Sequence, residues 1–346
     1  MRLSDKIFAL DGMGSDNCPF PEVEAAVQVY KDKGIKPIIV GSEPKLRDAC
    51  KKLGLSESDL MIHHTDDVVT MEDHPSAAIR KKKESSMMVA IRMVHEGKAG
   101  AVVSAGNSGA FMAGAIFILG RLNGVDRPAI AGMMPTMKGP TVVLDMGANV
   151  DCKPEHLIQF AAMGSVYARN MLGKPSPTIG VLNNGTEDSK GNELTRAVHS
   201  ILKKSSLNYT GYIEGRDIFR GDVDVIVCDG FVGNIFLKTS EGLAETMGTL
   251  IKASVKKSPM ALFGMLLALP TLKKVKKRWD YSEYGGAPLI GVKGLAIISH
   301  GRSSAKALKN AIIMANDYLE KGVNEKIVDE LHKNWDMKNE TGRVGY

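Results

Sequence analysis

The sequence predicts an α/β protein in which a mainly parallel sheet lies between two layers of helices. Short segments rich in β-branched residues alternate along the chain with longer segments of helical periodicity. The short segments are nearly continuous in apolar character, as strands covered on both faces are. No repeat of fixed period and no low-complexity linker interrupts this alternation. A three-layer α/β/α architecture is therefore expected.

Eight short segments fit the pattern of strands, and helical segments lie between them. The predicted strands, in chain order, read KIFALD, KPIIVG, DLMIHH, AGAVVSA, PTVVLDM, PTIGVLN, VDVIVCD and LAIIS. The predicted helices include EVEAAVQVYKDKG, SAAIRKKKESSMMVAIRMVHEG, PEHLIQFAAMGSVYARNML and SAKALKNAIIMANDYLEKG. We expect residues 1–334 to form a single α/β/α unit, or two lobes around one cleft, and residues 335–346 to be a frayed polar tail.

Composition and charge exclude several classes of protein. Of 346 residues, 44% are hydrophobic and 24% are charged, and a net charge of +6 is too small to predict binding to nucleic acid. The four cysteines lack the spacing of a zinc site or of a disulfide framework, so no metal is expected. The N-terminus has no signal-peptide core, and no apolar run reaches the roughly 18 residues of a spanning helix. These features predict a cytoplasmic protein.

One segment, residues 252–279, breaks the alternation. An apolar block from Met260 to Leu269 lies between basic clusters, with eight Lys or Arg residues and no acidic residue in the whole segment. Pro259 and Pro270 bracket the block, which predicts a protruding pair of helices. Three interpretations remain open: a core helix with solvated ends, a contact between subunits, or a helix that lies on a membrane surface while lysines bind anionic headgroups.

Polar, glycine-containing loops follow six of the predicted strands. They read DGMGSDN (residues 11–17), SAGNSGA (104–110), DMGANVD (145–151), NNGTEDSKGN (183–192), CDGFVGN (228–234) and SHGRSS (299–304). In parallel α/β sheets the carboxyl ends of the strands share one edge, and ligands bind in the crevice there. Glycines let backbone N–H groups approach an anion, and the helix N-terminus that follows favours negative charge. The loops therefore predict an anion-binding site.

Each loop also has an ordinary structural explanation. Gly-Asn and Asn-Gly pairs often only turn the chain, and Asp11, Ser15 and Ser303 stand where helix N-caps occur. Lysines among the turns favour the anion site over this explanation. The candidate donors to a tetrahedral oxyanion are Lys153, Lys190, Lys238, Asn107, Asn149, Asn184 and Asn234.

Familiar catalytic motifs are absent, so the anion site has another design. Neither the Walker loop GxxxxGK[ST], nor GxGxxG after the first strand, nor a GxSxG nucleophile elbow occurs. Cys152 has apolar flanks and is interpreted as a packed thiol in preference to a nucleophile. His300 lies in a glycine-flanked loop and is either a site residue or a structural one. His63 and His64 point to opposite faces of a predicted strand, which argues against a metal site there.

These loops carry a resemblance that covers nearly the whole chain. In order, DGMGSDNCP, SAGNSGA, LDMGANVDCKP, NNGTEDSKGN, EGRDIFRGDVDVIVCDGFVGNIFLKTSEG and YSEYGGAPLIGVKGLAIISHGRSSAKALKNAI closely resemble the bacterial phosphate acyltransferases of the PlsX type, from about residue 7 to residue 320. The first motif departs from the DAMGGD-like run of that family. The resemblance implies a homodimer whose fold is related to phosphate acetyltransferases and to isocitrate and isopropylmalate dehydrogenases.

The resemblance also implies a reaction. Inorganic phosphate attacks the thioester of a long-chain acyl–acyl carrier protein, and the acyl phosphate product feeds phospholipid synthesis, with no cofactor. Peripheral association with the inner face of the cell membrane is a further family expectation. It favours the membrane interpretation of the apolar block, in which the contact residues are Leu262, Phe263, Leu266 and Leu267.

The site residues receive hypothetical roles from this reaction. Phosphate is itself the nucleophile and a thiol with a pKa near 8.5 leaves readily, so positioning and oxyanion stabilisation remain for the protein to supply. Asp229 or His300 orients phosphate or takes its proton, Asp145 and Asp151 orient the lysines, and Glu187 does either. The residues expected to bind phosphate or to stabilise the oxyanion are Asn107, Ser108, Asn149, Lys153, Asn184, Lys190, Asn234 and Lys238.

Acyl carrier protein is acidic and should prefer a basic surface, either Arg80–Lys83 or Lys273–Arg278. Three other functions remain to be weighed. A phosphate acetyltransferase-like enzyme that uses acyl-CoA would share the fold and the chemistry. A dehydrogenase of related fold would need NAD and usually a divalent metal, and the sequence has no dinucleotide fingerprint. A membrane-bound scaffold without catalysis would have no use for six polar strand-end loops.

Overall fold

The computed structural model describes residues 7–279 and 283–333, so the predicted tail at 335–346 lies outside the described residues. The described residues form twelve strands and eleven α-helices. The strands are β1 (Phe8–Asp11), β2 (Ile38–Gly41), β3 (Met61–His64), β4 (Ala101–Ser104), β5 (Ala129–Ile130), β6 (Gly132–Thr136), β7 (Gly139–Leu144), β8 (Ile179–Asn183), β9 (Tyr209–Glu214), β10 (Val225–Val227), β11 (Ala287–Ile290) and β12 (Leu295–Ile298). The helices are α1 (Phe20–Lys33), α2 (Glu43–Lys52), α3 (Pro75–Lys81), α4 (Ser86–His95), α5 (Ser108–Leu119), α6 (Pro154–Met171), α7 (Glu193–Leu202), α8 (Gly230–Lys256), α9 (Pro259–Trp279), α10 (Ala305–Glu320) and α11 (Val323–Lys333).

The strands of the described residues form two sheets. The first has the order β3-β2-β1-β4-β12-β11-β5, in which β3, β2, β1, β4 and β12 are parallel and β11 is antiparallel to both of its neighbours. The second has the order β6-β7-β10-β8-β9, in which only β6 is antiparallel. The consecutive strands β5 and β6 lie in different sheets, so residues 129–136 link the two.

Helices cover both faces of the first sheet. Phe8 and Leu10 of β1 belong to the apolar cluster that includes α1 and α10, whereas Ala9 between them belongs to the cluster of α4 and α5. This alternation is the pattern of a strand buried on both sides. In the second sheet α6 and α7 cover one face, and a smaller cluster that includes Ile226 covers the other. The predicted α/β/α architecture with mainly parallel strands is confirmed.

The segment predicted to protrude is the end of a long helical hairpin. From Asn234 to the end of α9, none of the described side chains is buried. Helix α9 differs from the prediction because it continues through Pro270, which the sequence placed at its end. A proline costs a helix one hydrogen bond, and in an exposed helix water can satisfy the carbonyl that loses its donor. No helix in the described ranges has the length and apolarity needed to cross a bilayer.

The segment 76–97, predicted as one helix, consists of two. Helix α3 ends at Lys81 and α4 begins at Ser86. Lys82 turns away to donate to the Asp73 carboxylate at 2.6 Å and to the Val68 carbonyl at 2.9 Å. Ser85 is buried, and its hydroxyl donates to the Lys82 carbonyl at 2.7 Å. These contacts outweigh the helical periodicity of the segment.

Candidate functional site

Asp11, at the carboxyl end of β1, joins three elements of the first sheet. Its buried carboxylate accepts hydrogen bonds from Ser86 Oγ at 2.6 Å and Ser104 Oγ at 2.7 Å, and more weakly from the Met13 N–H at 3.3 Å. Ser86 begins α4 and Ser104 ends β4. Burial raises the pKa of Asp11 above its ordinary value, and the hydrogen bonds from the serine hydroxyls offset only part of this rise. Asp11 is therefore a structural centre of this edge and not a helix N-cap.

Glycines bring the loops of the first sheet into contact. A Cβ atom on Gly14 would lie 2.9 Å from the backbone nitrogen of Gly106, so the loops after β1 and β4 pack backbone against backbone. The Asp16 N–H donates to the Gly301 carbonyl at 2.9 Å and adds the loop after β12. Loops 11–17, 104–107 and 299–304 therefore meet. Beside them is a shallow depression of about 480 Å³, lined by Asn17, Cys18, Phe20, Pro21, Glu24, Ser304 and Ala305.

Asn107 fixes the loop after β3 to the same edge. Its Oδ1 accepts the Ala110 N–H at 3.0 Å as the N-cap of α5. Its Nδ2 donates to the carbonyls of Thr70, Met71 and Asp73 at 3.1, 3.2 and 2.9 Å. The amide predicted to bind phosphate is thus fully engaged in shaping two loops.

Asp145, directly after β7, organises the loops of the second sheet. Its fully buried carboxylate accepts the N–H groups of Ile130, Ala148 and Asn149 at 3.0, 3.0 and 2.7 Å. Asn149 Nδ2 donates to the same carboxylate at 2.9 Å and to the Pro128 carbonyl at 2.7 Å. Burial raises the pKa of Asp145 above its ordinary value, and these hydrogen bonds offset only part of this rise. The carboxylate is therefore the interior support of residues 145–149.

The first turns of α8 pack directly on this loop. The Gly230 N–H donates to the Asn149 carbonyl at 2.8 Å. A Cβ atom on Gly233 would lie only 1.9 Å from the Asp145 carbonyl oxygen. Glycine at both positions lets the N-terminus of α8 approach residues 145–149 closely, so the positive end of the helix dipole lies at this edge.

The loop after β8 is held mainly through α7. Thr195 Oγ1 donates to Asn183 Oδ1 at 3.2 Å, and Asn183 Nδ2 donates to the Gly185 carbonyl at 3.0 Å. Asn184 and Lys190 are exposed on this loop. Because β8 is the parallel neighbour of β10, the loop lies at the same sheet edge as the start of α8.

Two contacts connect the two sheets near these loops. The Ile130 N–H donates to the Asp145 carboxylate at 3.0 Å, and the Met146 N–H donates to the Ile130 carbonyl at 3.1 Å. Farther along α8, Glu245 lies 3.9 Å from the Arg302 guanidinium of the loop after β12. Residues 145 and 146 of the second sheet therefore contact β5 of the first, and α8 reaches the loop after β12.

The predicted site residues fall into two groups. Asn107, Asn149 and Asp229 use their side chains in the fold; Asp229 Oδ1 accepts the Val232 N–H at 2.8 Å as the N-cap of α8. Lys238 forms an exposed ion pair with Glu241 at 2.8 Å. The second group is exposed on the strand-end loops and on the start of α8: Ser108, Lys153, Asn184, Lys190, Asn234 and His300.

Lys153 and Lys190 are the exposed cations of the second group. Within the described part of the chain, no carboxylate lies at ion-pair distance from either Nζ. Cys152, beside Lys153, is half-buried, and burial raises the pKa of its thiol to about 12, so it is a neutral thiol at neutral pH. Residues 7–279 and 283–333 contain no group of three His, Cys, Asp or Glu side chains arranged for a metal ion. The arrangement can bind an anion and orient it.

Sequence analysis missed Ser86, Thr195 and the loop 70–73, which position the site loops from a distance. Ser86 and the loop contact residues far away in the chain, and no local motif marks them. Thr195 carries a local signal, because Asn192 and Thr195 form a capping box at the start of α7.

Glu22, in the first turn of α1, is a second buried carboxyl near loop 11–17. It is fully buried, and neither carboxyl oxygen has a hydrogen-bond partner among the described residues. Ser15 Oγ beside it is also buried without a partner there. Burial is the main cause that raises the pKa of Glu22 from an ordinary value of 4.5 to about 7; Ser15 beside it acts in the opposite direction, and the nearby Asp11 carboxyl makes a smaller contribution to the rise.

Replacing Glu22 with Gln should remove a pH dependence of stability. The folded protein keeps this proton up to about pH 7, whereas the unfolded chain releases it near pH 4.5. The stability of the natural chain therefore falls as pH rises through this window. The free energy of unfolding of Glu22→Gln, minus that of the natural chain, should increase by about 2–3 kcal/mol between pH 5 and pH 8. Urea unfolding at each pH measures this difference.

Glu24→Gln is the matched control, because Glu24 lies on the same helix and is only partly buried. Its difference from the natural chain should stay nearly constant over the same pH range. A flat difference for Glu22→Gln would show that Glu22 is not the buried acid described above.

Comparison with known proteins places the chain among relatives along almost its full length. The family model described as "Fatty acid synthesis protein" matches residues 7–326. The phosphate acyltransferase of Trichlorobacter lovleyi is 54% identical over 327 residues, which are 94% of this chain and 95% of that protein. The phosphate acyltransferase of Geobacter sulfurreducens is 54% identical over 323 residues, which are 93% of each chain.

Solved structures with low sequence identity share the fold. A phosphotransacetylase from Streptococcus pyogenes superposes with a TM-score of 0.59 at 18% identity, covering 91% of this chain and 94% of that one. The EutD phosphotransacetylase from Staphylococcus aureus gives 0.57 at 16% identity, with the same coverage of 91% and 94%. A 4-hydroxythreonine-4-phosphate dehydrogenase from Klebsiella pneumoniae gives 0.50 at 13% identity, covering 90% and 98%. The predicted α/β fold, with phosphotransacetylases and a dehydrogenase among its structural neighbours, is confirmed.

Proposed function

This chain belongs to the family of the phosphate acyltransferases, and on that premise we propose that it transfers a long-chain acyl group from acyl carrier protein to inorganic phosphate. The product, an acyl phosphate, serves phospholipid synthesis. The observation that supports this most strongly is the site itself. Exposed lysines and amides lie on the loops that follow the strands and on the first turns of helices, and Cys152 is a neutral thiol.

The proposed step needs no nucleophile from the protein. A phosphate oxygen attacks the thioester carbonyl carbon, the new C–O bond forms, and the C–S bond breaks as the carrier thiolate leaves. The thiolate then takes a proton from water or from phosphate. A thiol with a pKa near 8.5 is a good leaving group, so positioning and stabilisation of the tetrahedral oxyanion are the main contributions that the protein makes.

Exposure separates the roles within the site. Lys153 and Lys190 hold phosphate by charge, and Ser108, Asn184 and Asn234 donate hydrogen bonds to phosphate or to the oxyanion. His300 orients phosphate or takes its proton. Asn107, Asn149 and Asp229 act through the loops and the α8 N-terminus that they shape.

A thioester assay tests the function. Purified protein with palmitoyl-acyl carrier protein and phosphate should release free thiol and form acyl phosphate in equal amounts, and neither should appear without phosphate. Acetyl-CoA should be a poor substrate. Efficient use of acetyl-CoA with no reaction of the carrier-bound acyl group would favour the phosphate acetyltransferase-like alternative and overturn the proposal.

The carrier protein is proposed to dock on the basic end of α3. Arg80, Lys81 and Lys83 are exposed there, and Lys82 is engaged with Asp73. Helix α3 packs against α5, whose N-terminus lies in the loop 104–110. Of the second predicted cluster, Lys273–Arg278, the structure describes the side chains of Lys273 and Val275.

The helical hairpin is proposed to contact an anionic membrane surface. On α9, Leu262, Phe263, Leu266 and Leu267 are 49%, 64%, 56% and 70% exposed. Exposed lysines at the end of α8 lie beside them in the chain. Apolar side chains can enter the interface while each lysine near anionic headgroups contributes about 1 kcal/mol.

Phe263→Glu should weaken vesicle binding by at least about tenfold, because burying a Phe side chain is worth about 2 kcal/mol and the new charge is repelled by anionic lipid. Co-sedimentation with vesicles of phosphatidylglycerol and phosphatidylethanolamine measures this. Phe117→Glu is the control, since Phe117 is 78% exposed on α5, outside the hairpin. Equal binding by both variants would contradict the membrane contact.

A homodimer is also proposed. Val150, Phe231 and Ile235 are 60%, 56% and 51% exposed around the start of α8, and a second copy of the chain would cover them. Light scattering should give a mass of about twice 37.3 kDa for the protein and for Phe263→Glu alike. A monomeric mass for Phe263→Glu would assign the exposed leucines of α9 to the subunit contact instead.

A further inference from the structure

His199 of α7 lies at the centre of a network that reaches the loop 184–191. Its Nδ1 is 2.6 Å from the Tyr209 hydroxyl, and its Nε2 is 3.2 Å from Asp188 Oδ1. The ring also stacks on Tyr212, with centroids 4.2 Å apart. His199 is buried, whereas Asp188 is exposed on the loop. A buried side chain therefore holds an exposed residue of the candidate site loop.

The carboxylate fixes the direction of one of these hydrogen bonds. Lys203, and to a lesser extent His199, lower the pKa of Asp188, so its ionised carboxylate can only accept and His199 Nε2 is the donor. Burial raises the pKa of Tyr209, so its phenol keeps its proton at the contact with Nδ1. Both ring nitrogens are used. Lys203 supplies a second contact to Asp188, from Nζ to Oδ2 at 2.7 Å.

Other hydrogen bonds hold the start of the loop, at residues 183–185. Tyr212, stacked on His199, donates from its hydroxyl to the Thr195 carbonyl at 3.3 Å. Thr195 in turn holds Asn183 at the end of β8, and Asn183 holds Gly185. Asp188 therefore connects the middle of the loop to His199 and Lys203. The Lys190 N–H bonds to the Glu187 carbonyl at 2.9 Å, so Lys190 belongs to the same tight turn as Asp188.

We propose that His199 is a positioning residue, which holds the turn 187–190 through Asp188 so that Lys190 stays in place to bind phosphate. The inference rests on the proposed function, because it assigns the loop to phosphate binding. Lys203 makes an exposed ion pair of the kind that contributes little. His199 is rigidly packed and is the contact that sets the position of the turn.

Steady-state kinetics with acyl-acyl carrier protein and varied phosphate test the proposal. His199→Phe keeps the stacked ring and loses both hydrogen bonds, and Asp188→Ala removes the other partner. Each should raise the KM for phosphate about tenfold while kcat at saturating phosphate stays within threefold. Lys203→Met should leave the KM within twofold, and Asp188→Asn, which still accepts from Nε2, should recover most of the affinity lost in Asp188→Ala.

Tryptic cleavage after Lys190 reports on the loop without any turnover. Cleavage should be faster in His199→Phe and Asp188→Ala than in Lys203→Met. If both test variants melt at lower temperature with an unchanged KM for phosphate, the network only stabilises α7 and the proposal is wrong. If Lys203→Met raises the KM for phosphate as much as His199→Phe does, Lys203 positions the turn 187–190 and the proposal for His199 is wrong. Absence of phosphate-dependent turnover in the natural chain would instead refute the proposed function. The cleavage rates would still show whether His199 holds the turn 187–190.

Discussion

Gly233→Ala should destabilise the protein by about 3 kcal/mol or more and abolish its activity. The new methyl group would lie 1.9 Å from the Asp145 carbonyl oxygen, a backbone atom that cannot turn away. Either α8 moves outward or residues 145–149 shift, and overpacking of this kind usually costs about 1–3 kcal/mol, occasionally more. Thermal unfolding and the thioester assay measure the two effects.

Gly248→Ala is the matched control on the same helix. A Cβ atom there would meet nothing within 4 Å, and replacing glycine by alanine in an exposed helix should stabilise the fold by up to about 1 kcal/mol. The two variants should therefore change stability in opposite directions. If Gly233→Ala behaves like Gly248→Ala, α8 does not pack on Asp145 as described.

Most of the strands that sequence analysis found are apolar without interruption, although β3 ends in His63 and His64. The strands it missed are very short, contain proline or glycine, or carry polar residues. In β11, Pro288 removes a donor and the strand is antiparallel to both neighbours; β5 has only two residues. In β9, Gly211 with a φ of 111° and polar residues interrupt the run. Tertiary pairing determines such strands, and a reading of local composition cannot supply it.

In the candidate site, too, the sequence predicts the features that depend on local residues and misses those that depend on tertiary contacts. Glycine and polar residues after apolar strands locate the loops correctly, because that pattern is local. The use of each side chain is not local: Asn149 looks like a phosphate donor in sequence, yet its Nδ2 is held by Asp145 and by the Pro128 carbonyl. Nothing in the stretch GANVDCK indicates that Pro128 lies beside it. Exposure, which only the fold decides, separates Lys153 from Asn149.

Lys153→Ala should lower kcat/KM by about a hundredfold with little change in melting temperature. The side chain is exposed at the N-terminus of α6, and the local contacts are made by the backbone, whose N–H donates to His156 Nδ1 at 3.1 Å and whose carbonyl accepts the His156 N–H at 3.0 Å. Removing the side chain therefore leaves the fold intact and takes one cation from phosphate and the developing oxyanion, an interaction worth about 3 kcal/mol in comparable sites. Asn149→Ala should differ, because it loses two buried hydrogen bonds and should lower both activity and stability.

The charge of Lys153 and its position can be tested separately. Lys153→Arg keeps the charge and should retain at least a tenth of the activity, since a guanidinium also binds phosphate but has a different shape. Lys204→Ala removes an equally exposed lysine just after α7, outside the strand-end loops, and should be indistinguishable from the natural chain. Full activity in a folded Lys153→Ala variant would exclude this lysine from the site. The cationic contribution would then fall to other positive groups of the molecule, among them Lys190 and the N-terminus of α8.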